Sequence, residues 1–132
     1  MLRFSLFGLF FLAIPSLADA LTLECALPQT NSGGGYLTET YVLQYDEAAG
    51  KALASDGLIL YFNDGPIEAK VSEETGKKLV LSWMVLITNS TGQQTKMRFR
   101  AVYFKETRQI TIRATPGGYD NSFEARGSCK SV

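Results

Sequence analysis

From residue 21 onward, apolar and polar side chains alternate with a period of two between short turn signals, and this pattern predicts an all-β domain. Leu21, Leu23, Cys25 and Leu27 alternate with Thr22, Glu24 and Ala26, so the first strand turns Cys25 inward. Residues 29–35 read as a loop. Tyr41, Leu43 and Tyr45 mark a second strand, which ends in a turn or single helical turn at residues 46–50. Residues 51–62 read as one bent strand or two short ones, interrupted near Asp56-Gly57. The last strand covers residues 122–129 after the Pro116-Gly117-Gly118 turn, with Phe123, Ala125, Gly127 and Cys129 on one face.

A strand that slips by one residue exposes its whole apolar row, so hairpin registers can be tested against each other. Across Asn63-Asp64-Gly65-Pro66 the pattern places Phe62 opposite Ile67, Leu60 opposite Ala69 and Leu58 opposite Val71. Across residues 73–77 it places Val71 opposite Leu79, Ala69 opposite Leu81 and Ile67 opposite Trp83. Around Thr91, Val85 meets Met97, Trp83 meets Phe99, Leu81 meets Ala101 and Leu79 meets Tyr103. Around Glu106-Thr107, Tyr103 meets Ile110, Ala101 meets Ile112 and Phe99 meets Ala114. Four consecutive hairpins with one consistent inward face describe a meander. The expected fold is a small antiparallel up-and-down barrel of about eight strands, with a two-sheet β-sandwich as the alternative.

The 132-residue chain opens with a leader-like segment. Arg3 is followed by an apolar run over residues 4–17 and by Ala18-Asp19-Ala20, a small-x-small cleavage pattern. The run is shorter than the roughly 18 to 20 residues that cross a bilayer, which favours a cleaved secretory signal over an anchor. Residues 1–20 are therefore expected to be removed, leaving 21–132 as a single periplasmic or extracellular domain without a stable membrane anchor. With 13 basic and 13 acidic residues the formal charge is zero, and no global charge points to nucleic acid.

Export changes the meaning of the only two cysteines, Cys25 and Cys129. Oxidising compartments favour a disulfide, and here it would join the terminal strands and close the edge a meander otherwise leaves open. The absence of histidine removes Ser-His-Asp and Cys-His nucleophilic machinery and imidazole metal sites. Committed cysteines remove thiolate metal sites as well. The remaining carboxylates fall mostly in turns or at outward positions, and no catalytic, cofactor or metal residue is assigned. The glycine-rich stretches at residues 33–35 and 114–118 lack the Lys-Ser/Thr and the helix that a phosphate loop needs, and read as turns. Asn89-Ser90-Thr91 matches a glycosylation acceptor and lies in an expected hairpin turn.

Two rows of outward residues stand apart. Lys96, Arg98 and Arg100 alternate with core positions, and Arg113 falls opposite Arg100, with Glu124 on the next strand able to neutralise it. Val80, Met84, Leu86, Val102 and Phe104 form an apolar band on the same face. Together they suggest a non-catalytic protein with a protein partner in the cell envelope. The alternatives are a carrier of a small apolar ligand inside the barrel, around Tyr41, Trp83, Phe99 and Tyr103, or an inhibitor of an extracellular hydrolase. The last of these follows from a resemblance: in length, strand economy and cysteines near both ends, the chain resembles the periplasmic inhibitors of c-type lysozyme. That resemblance covers architecture alone and transfers no functional residue.

Overall fold

The computed structural model of the protein describes residues 20–28 and 36–132. The leader expected over residues 1–20, apart from Ala20, and the loop expected over residues 29–35 lie outside the described residues. Eight strands form a closed antiparallel barrel in chain order: β1 (Ala20–Ala26), β2 (Thr40–Asp46), β3 (Lys51–Ser55), β4 (Ile67–Glu74), β5 (Lys78–Thr88), β6 (Gln94–Phe104), β7 (Gln109–Pro116) and β8 (Phe123–Ser131). One short helix, α1 (Gly57–Phe62), interrupts the meander between β3 and β4. The all-β barrel expectation is met, and the sandwich alternative is not.

β5 and β6 pair from Lys78–Phe104 to Thr88–Gln94, with Leu79, Leu81, Trp83 and Val85 opposite Tyr103, Ala101, Phe99 and Met97 as the alternation requires. At the turn, Asn89 Oδ1 accepts from the backbone N–H of Thr91 and Gln93 and from the Thr91 hydroxyl. β6 and β7 keep the expected Tyr103–Ile110, Ala101–Ile112 and Phe99–Ala114 pairs. Inward side chains merge into one core in which Tyr41, Leu43, Leu81, Phe99, Ile112 and both cysteines are buried. Outward positions carry most of the charge, which is the reverse of a barrel whose lipid-facing band is apolar.

Two registers differ from expectation. Residues 57–62 do not pair with β4; β3 does, through Ala52–Ala69, Leu53–Glu68 and Ala54–Ile67. The physical reason is Asp56. Its backbone is extended, its Oδ1 accepts the Ile59 N–H at 2.8 Å, and its carbonyl takes the Leu60 N–H, so the chain turns into a capped helix instead of continuing as a strand. The helix buries Ile59 in the core, packs Leu58 and Phe62 against it, and leaves Leu60 and Tyr61 exposed.

The second difference lies between β4 and β5, where Val71 stands opposite Leu81 instead of Leu79. Thr75 makes a tight turn, with its N–H donating to the Lys78 carbonyl and its Oγ1 accepting from the N–H of Lys77 and Lys78. That brings Glu74 beside Leu79 and Glu73 beside Val80, and a bulge between Val71 and Glu73 restores the inward face of Val71.

The barrel closes where β1 meets β8, over the pairs Leu23–Ser131, Glu24–Lys130, Cys25–Cys129 and Ala26–Ser128. Cys25 and Cys129 are directly opposed and disulfide-bonded, with a Cα–Cα separation of 4.0 Å. Beyond Ala26 the chain crosses β8 at Gly127 and buries Leu27, whose N–H donates to the Glu39 carbonyl. Leu27, Leu37 and Ile59 thus belong to the same buried core, joining the connection before β2 and α1 to the barrel interior.

A polar link holds these pieces. Asp56 is buried, and its Oδ2 accepts the Thr38 hydroxyl at 2.6 Å, while the Thr38 N–H donates to the Tyr41 hydroxyl. Burial pushes the Tyr41 phenol up to about 12, an effect only partly offset by its bonds to Thr38.

Candidate interaction surface

The expected surface residues come from three adjacent strands. On β5 the outward side chains are Lys78, Val80, Ser82, Met84 and Leu86. On β6 they are Lys96, Arg98, Arg100, Val102 and Phe104, and on β7 Arg113 stands beside Arg100. Cross-strand pairing sets Met84 against Arg98, Leu86 against Lys96, Ser82 against Arg100, and Val80 against Val102.

The apolar residues do not form the single band expected. Val80 is fully buried although it points away from the core, because Val102 lies on one side of it and Glu73, ion-paired to Lys78 at 3.7 Å, on the other. Val102 is half-buried, leaving Met84, Leu86 and Phe104 exposed at 47%, 42% and 42%. Met84 pairs with Arg98, and Val102 is four residues further along β6, about 14 Å at the antiparallel rise. The Ser82–Arg100 pair separates the two apolar areas.

The cations are not equivalent. Five ion pairs join described residues: Lys78–Glu73, Lys105–Glu74, Arg113–Glu124, Arg126–Glu124 and Lys130–Glu24. Arg113 Nη2 donates to Glu124 at 2.9 Å, the neutralising contact expected from the alternation, and that bond, aided by Arg126, holds the Glu124 carboxyl below its ordinary range. Lys96, Arg98 and Arg100 are exposed and have no ion-pair acid among the described residues. On β6 they occupy consecutive outward positions, about 7 Å apart. A shallow basin of about 240 Å³, lined by Arg100, Val102, Thr111, Arg113 and Glu124, opens beside them. It adjoins, through Thr111, a groove of about 640 Å³ that reaches Phe104.

The four residues named for an internal ligand all face inward. Trp83 stacks on Phe99 with centroids 5.6 Å apart and planes 8° from parallel, and Tyr41 tilts against Trp83 at 6.1 Å. Tyr41, Trp83, Phe99 and Tyr103 are all core members, and the Trp83 Nε1–H is buried without an acceptor among the described residues. No group of three or more His, Cys, Asp or Glu among the described residues is placed to hold a metal ion. The sequence reading missed exposed Leu60 and Tyr61, since it placed them in a strand; the signal was a continuous apolar run, Leu58 to Phe62, beginning two residues after a capping aspartate.

These features define a closed eight-stranded antiparallel barrel, sealed by a disulfide between its terminal strands and bearing a cationic row on its outer wall. No protein-family model, curated protein or solved structure matches the chain.

Proposed function

We propose that this is an exported, non-catalytic binding protein of the cell envelope that engages an acidic protein partner through the outward face of β5 and β6. The observation that carries the reading is the row Lys96, Arg98 and Arg100, exposed and without an ion-pair acid among the described residues, beside exposed Met84 and Leu86. In a chain whose total charge is zero, three uncompensated cations on one strand form a local positive field. The neighbouring methionine and leucine supply apolar contact of the kind found at the centre of protein interfaces. Export is supported by the leader-like opening and by the disulfide, which oxidising compartments sustain. A carrier role is less well supported, because a guest among Tyr41, Trp83 and Phe99 would have to displace rings that already pack on each other.

The test is a photo-crosslinker at position 84 of the full, oxidised protein, followed by mass spectrometry of the captured segment. A captured segment rich in Asp and Glu is expected, with the product lost in a Lys96→Glu, Arg98→Glu variant and at about 0.5 M salt, where charges are screened beyond a few ångströms. An equal yield from the charge-reversed variant would count against this reading.

A further inference from the structure

Arg100 and Arg113 face each other directly across β6 and β7, both outward. Like charges at such a pair weaken a sheet. Among the described residues, an ion pair within 4 Å reaches Arg113 and none reaches Arg100. Glu124, opposite Arg113 on β8, accepts from Arg113 at 2.9 Å and from Arg126 at 3.2 Å, so its charge is already divided between two guanidinium groups. On its other side Arg100 meets Ser82, whose hydroxyl lies 3.2 Å from that of Ser72. Arg100 therefore has a cation on one side and a neutral hydroxyl on the other. A threonine there would suit a β-strand and relieve the repulsion.

The surroundings give the misfit a use. Arg100 lines the basin of about 240 Å³ with Val102, Thr111, Arg113 and Glu124, so two guanidinium groups border a hollow that also offers an apolar wall and a hydroxyl. A guanidinium fork matches a carboxylate with two parallel hydrogen bonds, which an ammonium cannot do. Glu124 on the same wall repels a second anion, so the basin suits one carboxylate and not a dense polyanion.

We infer that Arg100 is the anchor of the docking face: it receives a single carboxylate from an acidic segment of the partner in this basin, and is kept there at a cost to the barrel's own stability. This rests on the reading of the β5–β6 face as a docking surface and names the contact within it.

The experiment uses the full, oxidised protein, with acetyl-Glu-Thr-Glu-Thr-Glu-amide as probe and its Gln counterpart as control. Affinity is read by fluorescence anisotropy, and stability by the urea midpoint. Arg100→Thr is expected to raise the unfolding midpoint and to weaken the Glu peptide by about tenfold or more, as for an anchoring arginine. Arg100→Lys, which keeps charge and loses the fork, should weaken it by at least about threefold, whereas Arg98→Gln, a rim charge, should cost less than that. Wild-type affinity in Arg100→Thr, or a lowered midpoint, overturns the inference. If that variant still binds while Lys96→Glu, Arg98→Glu does not, the docking face stands and the anchor falls. Equal binding of the Glu and Gln peptides by the wild type removes both.

Discussion

The carbonyl oxygen of Ala26 passes so close over Gly127 that a methyl group on Gly127 would overlap it, and would also stand 2.8 Å from the α-carbon of Leu27. This crossing lets the chain leave the β1–β8 seam and bury Leu27 in the core. Only a residue without Cβ permits it, because the obstacle is backbone and cannot rotate aside. Gly127→Ala is therefore expected to destabilise by more than about 3 kcal/mol or to prevent folding. Gly76→Ala, where an added Cβ meets nothing within 4 Å, serves as the control and should be nearly neutral in urea unfolding.

Cys25 and Cys129 lie 104 residues apart in the chain and directly opposite in the barrel. Crosslinking so long a loop lowers the entropy of the unfolded chain, contributing about 4 to 5 kcal/mol in the loop-closure account. The Cys25→Ser, Cys129→Ser protein should lose stability of that order by urea denaturation. Dithiothreitol should shift the midpoint of the wild type and not of the variant.

The Asp56 carboxylate accepts from the Ile59 N–H at 2.8 Å and from the Thr38 hydroxyl at 2.6 Å. Asp56→Ala removes the helix cap and strands a partly buried hydroxyl, for an expected loss of about 2 kcal/mol. Asp56→Asn keeps an oxygen for the cap and should cost less than half as much. Equal stability of Ala and Asn variants would mean that the cap contributes nothing.

Tyr41 is fully buried, and burial raises its phenol from 10.0 to about 12. A raised value in the folded state means that the folded protein holds this proton more tightly than the unfolded chain. The resulting stability is complete below pH 10 and is lost as pH rises from 10 towards 12. A shift of this size corresponds to about 2 to 3 kcal/mol. Tyr45, also raised, first by burial and then by Glu74, titrates in the same direction, so Tyr41→Phe is the informative comparison. Its unfolding free energy should fall less steeply between pH 10 and 12 than that of the wild type.

Much of the fold was legible because tight hairpins are local. Leu79, Leu81, Trp83 and Val85 find Tyr103, Ala101, Phe99 and Met97 through a short turn, and the period of two leaves one register that buries both rows. The β4–β5 register was not legible, since the Ser72 bulge inserts a residue without interrupting the alternation of apolar positions. The helix was hidden for another reason: Leu58 to Phe62 carries no polar position to distinguish periods, and the Asn63-Asp64-Gly65-Pro66 turn competed for a hairpin. On the outer wall, the sequence placed the cations and the Arg113–Glu124 contact correctly, and it overestimated the apolar band because the exposure of Val80 depends on how closely Val102 and Glu73 on the two adjacent strands cover it.

The alternation along the chain by itself determined that the protein is all-β, which face of most strands is inward, and that both cysteines share the interior. Only the tertiary structure decided for a closed barrel over a sandwich, that α1 joins the core, that Val80 is covered, and that Arg100 has no ion-pair acid among the described residues. The physical reason is range. Side-chain alternation and turns act between residues a few positions apart, whereas closure, the Thr38–Asp56 bond and the Ala26–Gly127 crossing join segments between 18 and 104 residues apart.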